Sequence, residues 1–337
     1  MFLVICFFFF IAYSYADASA PKAAELVEDG QAIDLSQPKY LELFQELRQE
    51  HGFSQAELEA MFTGVAIHQK ALELMDRQWE AKPYYQYKPL FVTDKVIEQG
   101  RQKLQEHKVL LDRIEKELGV DREVVIAIWG IETRFGTHLG NHKVFQTLNT
   151  LFDAYPRRSN FFRKQLIHFI LLSRENNFDL HSIKGSYAGA FGQTQFIPSS
   201  FREYAVSFDG DDRRDVFSSK ADILASIANY LRRYRWQLDA PIYHDIGSQL
   251  RSQELISANL KGRKGRIAVD KVNAAQGLDL PIPADGKKVS IVSLEVAPEK
   301  GGGRRYVAGY PNFHAITAWN HSNRYAMAVA ELAESMR

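Results

Sequence analysis

The chain has 337 residues, of which 45% are hydrophobic and 25% are charged, a composition typical of a soluble globular protein with roughly two or three domains. The 42 Lys and Arg residues nearly balance the 41 Asp and Glu residues, so the net charge is only +1 and no nucleic-acid partner is expected. The single cysteine, Cys6, excludes an intramolecular disulfide and any zinc or iron–sulfur site built on cysteines.

The first residues predict an export signal. Residues 1–13 are continuously apolar, which is too short for a membrane span of about 20 residues but suits the core of a signal peptide. Small residues ending at Ala18 match a cleavage site, so residues 1–18 are predicted to be a signal peptide and the mature chain to begin at Ser19. Because no Lys or Arg precedes the apolar run, an uncleaved anchor that keeps the protein at the membrane is the alternative.

Residues 19–37 are small, polar and proline-containing, and they predict a linker. Beyond it, apolar residues recur with helical spacing. Ser54 and Glu57 form a capping-box pattern at one helix start, and four apolar residues spaced by seven predict a single long helix over 97–118. The predicted helices cover, in chain order, a segment from Tyr40, one that follows Ser54, then 97–118, 122–132, 160–175, 222–234 and 320–337.

The overall pattern predicts a mainly α protein with a small α+β part. After Trp236 the pattern changes, since Val289, Ile291 and Val296 are typical of a strand and glycines mark turns. The predicted domains are a helical domain over 38–118 that the C-terminal segment completes, a helical core over 119–237, a small β-containing insertion over 238–310, and a C-terminal helical segment over 311–337.

Glu132 ends a helix that is otherwise apolar on every side, which makes it the first candidate for chemistry. Burial disfavours the ionised form of a carboxyl, so a glutamate in this position is expected to have a raised pKa. A carboxyl that stays protonated near neutral pH can act as a general acid. From these residues alone, a structural glutamate paired with Arg134 is the favoured interpretation.

A second candidate is the Gly- and Ala-rich segment 185–199, whose small residues let the backbone approach a ligand closely. Ser186 and Gln195 add neutral hydrogen-bonding groups, and together with the aromatic side chains they suit a sugar. The segment lacks the G-x-x-x-x-G-K pattern of a phosphate loop. The alternative is a Gly-rich turn packed between helices.

Five blocks along the chain are together similar to one known family. They are IETRFG around Glu132, YPRRSNFF at 155–162, GSYAGAFGQTQFIPSS at 185–200, ANYL at 228–231 and WNHSNRYAMAV at 319–329. In this order they resemble the lytic murein transglycosylases of the membrane-bound B type, from about Tyr40 to the C-terminus. The resemblance implies a lysozyme-like helical catalytic core over 119–237 and makes Glu132 the catalytic residue.

The resemblance also implies the reaction. The enzyme would cleave the β-1,4 bond between N-acetylmuramic acid and N-acetylglucosamine in peptidoglycan without water, leaving a 1,6-anhydro ring, and would therefore be a lyase of cell-wall turnover. One carboxyl suffices for this chemistry, unlike the pair of most glycosidases, and no cofactor is required. The expected partner is the peptidoglycan glycan strand, the expected compartment is the periplasm, and the protein is expected to be a monomer.

Several further residues are implied to contact substrate. They are Ser186, Gln195, Tyr230, Asn320, Tyr325, Tyr87, Arg157 and Arg158, with Trp319 as an aromatic side chain lining the cleft. Gln195 is expected to help hold Glu132 or a sugar acetamide, and the two arginines to meet the muramyl carboxylate or acidic groups of the peptide. Tyr230 could instead be a core residue, and the arginines a solvated charge pair.

The family also carries a calcium loop resembling an EF-hand, which corresponds here to residues 207–215. The implied ligands are Asp209, Asp211 and Asp222, but the loop begins with serine, lacks glycine at the sixth position and lacks the final bidentate glutamate. Arg213 stands where a ligand is expected, and a cation repels calcium. Two interpretations stay open: a structural calcium site, or a loop held by pairs between its aspartates and arginines.

Two other functions are compatible with the same residues. A hydrolytic muramidase of the lysozyme type would use a similar site with water as the second reactant. A non-catalytic peptidoglycan-binding protein on the same scaffold is disfavoured, because binding alone does not need a carboxyl in a dry site.

Overall fold

The structure is a computed structural model that describes residues 22–76, 82–283, 286 and 288–337. The predicted signal peptide lies outside the described residues. The described α-helices are α1 (Pro38–Gln49), α2 (Gln55–Phe62), α3 (Gln69–Met75), α4 (Tyr84–Tyr87), α5 (Asp94–Glu106), α6 (Lys108–Leu118), α7 (Arg122–Thr133), α8 (Val144–Ala154), α9 (Ser159–Glu175), α10 (Pro198–Tyr204), α11 (Lys220–Arg233), α12 (Gln253–Leu260), α13 (Val269–Gln276), α14 (Pro311–Trp319) and α15 (Asn323–Met336). The strands are β1 (His142–Lys143), β2 (Lys184–Gly185), β3 (Tyr243–Gly247), β4 (Ser290–Glu295) and β5 (Arg304–Gly309).

The predicted fold class, mainly helical with a small β-containing part, is confirmed. The capping box at α2 is also confirmed, since the Ser54 hydroxyl accepts from the Glu57 backbone N–H and the Glu57 carboxylate accepts from the Ser54 N–H. None of the described helices is long and apolar enough to cross a membrane.

The single helix predicted over 97–118 is wrong. The backbone leaves helical geometry at His107, with φ −106° and ψ 20°, and divides this stretch between α5 and α6. The two helices share one heptad pattern but pack differently, since α5 lies against α7 and α15 whereas α6 lies mainly against α11. The apolar repeat is compatible with both arrangements, so tertiary contacts decide the break.

Residues 22–37 differ from the predicted linker, because they pack on the folded body. A short 3₁₀ helix covers Ala23–Leu26, and Ala24 and Ile33 are buried. Backbone bonds join this segment to the residues after α2, with Gly30 N–H donating to the Ile67 carbonyl at 2.9 Å. Burying the apolar side chain of Ile33 lowers the free energy of the folded state, which favours packing of this segment on the body.

The helices of the body pack around two large apolar cores. The first core is built mainly from α5, α6, α7, α11 and α15. The second is built mainly from residues 22–75, α8, α9 and α10. The helical domain predicted over 38–118 is therefore split, because α1–α3 belong to the second core whereas α5 and α6 belong to the first. Trp319, at the end of α14, packs against both cores.

The segment 238–310 has its own small core beneath a three-stranded antiparallel sheet of order β3-β5-β4. Two carboxylates join it to the helical body. Glu295 at the end of β4 accepts from the Arg324 guanidinium and from the Tyr84 backbone N–H, both at 3.0 Å. Glu331 on α15 accepts from the Tyr84 hydroxyl at 2.6 Å and pairs with Arg305 of β5 at 2.5 Å. These bonds hold the insertion beside α4 and α15.

Candidate active site

Helix α7 carries Glu132 through the first core and stops one residue later. Its side chains from Val124 to Ile131 are buried, so the helix is surrounded on all sides as its apolar sequence predicts. The chain then turns through Arg134 and Phe135 in the left-handed region, with φ 50° and 57°. Phe135 folds back over the helix, where a Cβ on Gly130 would lie only 2.8 Å from its ring. Glycine at position 130 therefore permits the sharp stop that leaves Glu132 at the helix end.

Two donors from the C-terminal part of the chain meet the Glu132 carboxyl. The Tyr325 hydroxyl donates to Oε1 at 2.6 Å, and the Trp319 indole N–H donates to the same oxygen at 2.9 Å. Burial raises the pKa of Glu132 to about 7, while these two hydrogen bonds act in the opposite direction. Since both donors contact Oε1, Oε2 is left to carry the proton. The expected pairing with Arg134 is wrong, because its guanidinium donates to the Leu90 carbonyl.

Tyr325 stays protonated as a donor in this site. Its own burial, followed by the negative charge of Glu132, raises the pKa of the phenol well above its ordinary value. The hydroxyl therefore donates to the carboxyl throughout the neutral range. Within the described part of the chain, no second carboxyl shifts the pKa of Glu132. The site thus offers one carboxyl that can both give and accept a proton.

An aromatic cluster fixes the Trp319 indole. The Tyr230 ring lies edge-on to the indole, with 4.7 Å between the ring centres. The Phe196 ring, from the Gly-rich segment 185–199, has its centre 5.1 Å from that of the indole. Tyr230 is buried, and its hydroxyl donates to the Ala318 carbonyl at 2.8 Å rather than to Glu132. Its contact with Glu132 is therefore indirect, through the indole that it supports.

The Gly-rich loop is held largely by its own polar side chains. The Ser186 hydroxyl accepts from the backbone N–H groups of Ala188 and Ala190 at 3.3 and 3.1 Å. The Gln195 amide donates to the Gly192 carbonyl at 3.0 Å, so the expected hydrogen bond from Gln195 to Glu132 is absent from this structure. The Gln195 backbone lies in the left-handed region, with φ 49°, and its side chain closes the turn.

A neighbouring glutamine, which the sequence did not single out, connects this loop to α7. The buried Gln193 side chain accepts from the Trp129 indole N–H at 3.0 Å and donates to the Phe217 carbonyl at 2.6 Å. Its backbone carbonyl accepts from the Thr133 hydroxyl at 3.3 Å. Gln193 thus ties the loop to the helix turn next to Glu132. Gln193 and Gln195 lie two residues apart in one motif, and the sequence does not show which of them bonds to α7 and which closes the turn.

The remaining predicted contact residues are spread around the site. Tyr87 on α4 is half-buried and electrostatically coupled to Tyr325, and Asn320 follows the end of α14 in extended conformation. Arg157 and Arg158 are exposed in the 3₁₀ turn between α8 and α9, where the Arg158 guanidinium lies 4.2 Å from the centre of the Phe161 ring. Tyr87 therefore lies near Tyr325 and Asn320 directly follows Trp319, whereas the two arginines lie on the surface.

The acidic loop brings its three candidate ligands together. Oxygens of Asp209, Asp211 and Asp222 lie within 4.8 Å of one another. Asp222 is fully buried, and its two oxygens accept the backbone N–H groups of Phe208 and Asp215 at 2.7 and 2.8 Å. Burial, with the nearby charge of Asp209 as a smaller cause, raises the pKa of Asp222.

No aspartate–arginine pair holds the described residues of this loop. The Arg214 guanidinium donates instead to the backbone carbonyl of Arg202 at 3.3 Å. The three converging carboxylates therefore lack the cation that the alternative interpretation supplies. Such a set of hard oxygen donors fits calcium, which takes oxygen ligands at about 2.3–2.6 Å.

Comparison with known proteins agrees with this geometry. Residues 36–334 match the family described as the transglycosylase SLT domain. The chain is 30% identical over 310 residues to membrane-bound lytic murein transglycosylase B of Escherichia coli (strain K12), covering 89% of this chain and 82% of that protein.

Two solved structures are also similar. Soluble lytic transglycosylase SltB1 from Pseudomonas aeruginosa shares 35% identity with a TM-score of 0.79, covering 89% of this chain and 98% of that one. Escherichia coli lytic transglycosylase Slt35, solved in complex with calcium, shares 29% identity with a TM-score of 0.80, covering 94% and 98%. The chain thus belongs to the lytic murein transglycosylase family, whose members are lyases that cleave peptidoglycan.

Proposed function

We propose that Glu132 is the only acid–base catalyst of this lytic transglycosylase. The observation that carries the proposal is a half-buried carboxyl with a pKa of about 7, whose Oε1 accepts two hydrogen bonds while Oε2 is left for a proton. A carboxyl tuned to this range can release a proton and take it back during one turnover.

The reaction then needs no second carboxylate. Protonated Glu132 donates its proton to the glycosidic oxygen, and the bond from that oxygen to the anomeric carbon breaks. The acetamido group of the same muramyl residue stabilises the electron-poor carbon. The Glu132 carboxylate next accepts the proton of the 6-hydroxyl, whose oxygen bonds to the anomeric carbon and closes the 1,6-anhydro ring. Glu132 ends the cycle protonated, and no cofactor takes part.

The first prediction concerns the products. Purified peptidoglycan digested with this protein should release muropeptides whose muramyl ends carry the 1,6-anhydro ring, because the 6-hydroxyl replaces water as the nucleophile. Mass spectrometry distinguishes these ends from reducing ends, which contain one more water. Reducing ends as the main product would favour the hydrolytic muramidase instead.

The second prediction concerns Tyr325→Phe. A hydrogen bond to the carboxylate favours the ionised form, so removing the Tyr325 hydroxyl should raise the pKa of Glu132. Because the protonated acid is the active form, wild-type kcat/KM should fall as pH rises through about 7. In the variant this fall should move to higher pH, by about one pH unit. Tyr306→Phe in β5 is the matched control, and a lower rate with an unmoved pH profile would contradict this role for Tyr325.

We also propose that the residues around Glu132 bind the sugar chain. Tyr87, Asn320 and the loop around Ser186 and Gln195 would line the path of the glycan, with Tyr230 acting through Trp319. The exposed Arg157 and Arg158 are free to meet carboxylates of the muramyl peptide. Hydrogen bonds from neutral groups and contact with aromatic faces are the interactions that a polyhydroxylated ring requires.

We further propose that Asp209, Asp211 and Asp222 hold a structural calcium ion. The relative solved with calcium supports this proposal, as do the three converging carboxylates of this chain. The ion would neutralise charge in the loop before α11 and would take no part in the reaction. The departures from the EF-hand pattern predict weaker binding than a complete ligand set would give.

The third prediction concerns location. We propose that the protein is exported to the periplasm, acts as a monomer and loses residues 1–18. N-terminal sequencing of the mature protein should therefore begin at Ser19, with the protein in the periplasmic fraction. A chain that begins at Met1 and sediments with membranes would establish the uncleaved anchor, and a lipid on Cys6 would contradict both.

A further inference from the structure

A basic cavity of about 470 Å³ lies in the insertion, outside the site around Glu132. Its lining includes five cationic side chains, namely Lys261, Lys264, Arg266, Lys271 and Lys288, and one carboxylate, Glu254. The charge is concentrated here although the whole chain is almost neutral. A concave surface with this balance attracts anions.

The walls of the cavity are fixed by the backbone. Ile267 and Val289 exchange two backbone hydrogen bonds of 2.9 Å, which brings Lys288 to the rim. On the other side, the loop 262–266 presses on α12, where a Cβ on Gly265 would lie 1.9 Å from the Ala258 carbonyl oxygen. Glycine at 265 is therefore needed for this close approach, and the cavity is a defined part of the fold.

The cations are poorly compensated within the described residues. Glu254 pairs with Lys271 at 2.8 Å, which leaves the other four cations without a carboxylate partner. The Arg266 guanidinium donates only to the backbone carbonyls of Arg263 and Gly265. Partial burial of this group, with the charge of Arg263 as a second cause, lowers the pKa of Arg266. An anionic ligand would relieve both effects.

The loop beside the cavity is also bonded to α14, the helix that ends in Trp319. Arg263 donates to the Thr317 carbonyl at 3.4 Å, and Thr317 lies two residues before Trp319 on α14. At about 1.5 Å of rise per residue, the Thr317 backbone is within one helical turn of the Trp319 backbone. Arg266 also acts electrostatically on His314 of the same helix.

We propose that this basic cavity binds carboxylates of the peptide stem on a peptidoglycan strand whose glycan lies at Glu132. The inference rests on the proposed function, and it adds a second contact point for the substrate. Stem peptides end in carboxylates, which lysine and arginine bind through charge-assisted hydrogen bonds. The cavity would then raise affinity for strands that carry peptides and leave the chemistry at Glu132 unchanged.

The test compares two substrates: peptidoglycan strands with intact stems, and the same strands after an amidase has removed the stems. The variant K264Q/R266Q should raise KM for peptide-bearing strands about tenfold and leave kcat unchanged. On peptide-free strands both constants should match those of the wild type. K300Q, which neutralises an exposed lysine of the insertion outside the cavity, is the matched control.

A second variant controls for local misfolding of the first, because Arg266 also donates hydrogen bonds to the loop backbone. K261Q/K288Q removes two exposed charges and should raise KM selectively for peptide-bearing strands as well. Unchanged KM in both double variants, or an equal rise on both substrates, would overturn the proposal. Binding to vesicles of anionic phospholipid that both variants lose, with KM unaffected, would assign the cavity to a lipid headgroup instead. Failure of the wild-type protein to cleave either substrate would contradict the proposed function rather than the cavity.

Discussion

Glu132→Gln should reduce peptidoglycan cleavage by about 10²–10⁴-fold while the protein remains folded. Glutamine keeps the shape of the side chain and can still accept the hydrogen bonds from Tyr325 and Trp319 at Oε1. Its amide has no acidic proton to transfer to the glycosidic oxygen and is too weak a base to accept the proton of the 6-hydroxyl, so neither proton transfer can occur. Release of muropeptides, measured by chromatography, gives the rate. Glu123→Gln, at the other end of α7, is the matched control and should retain activity.

The same substitution has a second, independent readout in stability. Burial raises the folded-state pKa of Glu132 to about 7 from an ordinary value of 4.5, so the protonated carboxyl fits the folded state better than the ionised one. That contribution is fully present below pH 4.5 and is lost as pH rises through about 7. Glutamine never ionises, so Glu132→Gln should be more stable than the wild type at pH 8, by roughly 1–3 kcal/mol, and similar at pH 4.

Thermal unfolding at the two pH values measures this difference. A variant that unfolds earlier than the wild type at pH 8 would show that Glu132 is mainly a structural partner of Tyr325 and Trp319. Near wild-type turnover by the same variant would refute its catalytic role.

Asp222→Ala should destabilise the protein by about 2–5 kcal/mol. The carboxylate is fully buried and accepts the backbone N–H groups of Phe208 and Asp215, so alanine leaves one buried and one partly buried donor without partners. Each unsatisfied group costs about 1–3 kcal/mol. Urea unfolding measures the loss, and Glu299→Ala, an exposed carboxyl of the insertion, should change stability little.

The response to calcium distinguishes the proposed ligand role of Asp222 from its role as a hydrogen-bond acceptor. Millimolar calcium should raise the melting temperature of the wild type, and a chelator should reverse the gain, because an ion that binds only the folded state stabilises it by mass action. Asp222→Ala should lose this response, since it removes one of the three carboxylates. If calcium leaves the wild-type melting temperature unchanged, the calcium proposal is wrong, whereas the hydrogen-bond role of Asp222 is tested by the unfolding experiment alone.

Local patterns in the chain were sufficient for the mainly helical fold and made Glu132 a candidate, but a catalytic role was favoured over a structural one only through the resemblance to the family. An all-apolar helix that ends in a carboxyl predicts burial and a raised pKa, because desolvation depends on the immediate surroundings. The capping box at Ser54 is equally local, since three residues separate the groups that bond. The reaction was inferred from the blocks of sequence that resemble the family.

Only the tertiary structure decided which groups complete the site. Trp319 and Tyr325 lie 187 and 193 residues from Glu132 along the chain, and no local pattern links them to it. The roles of Gln193 and Gln195, three and one residues before Phe196, depend on which way each side chain turns within one loop. The heptad over 97–118 likewise does not state that α5 and α6 face different partners. Contacts between distant segments are set by packing of the whole chain, whereas helical periodicity and capping are set by neighbours within one turn.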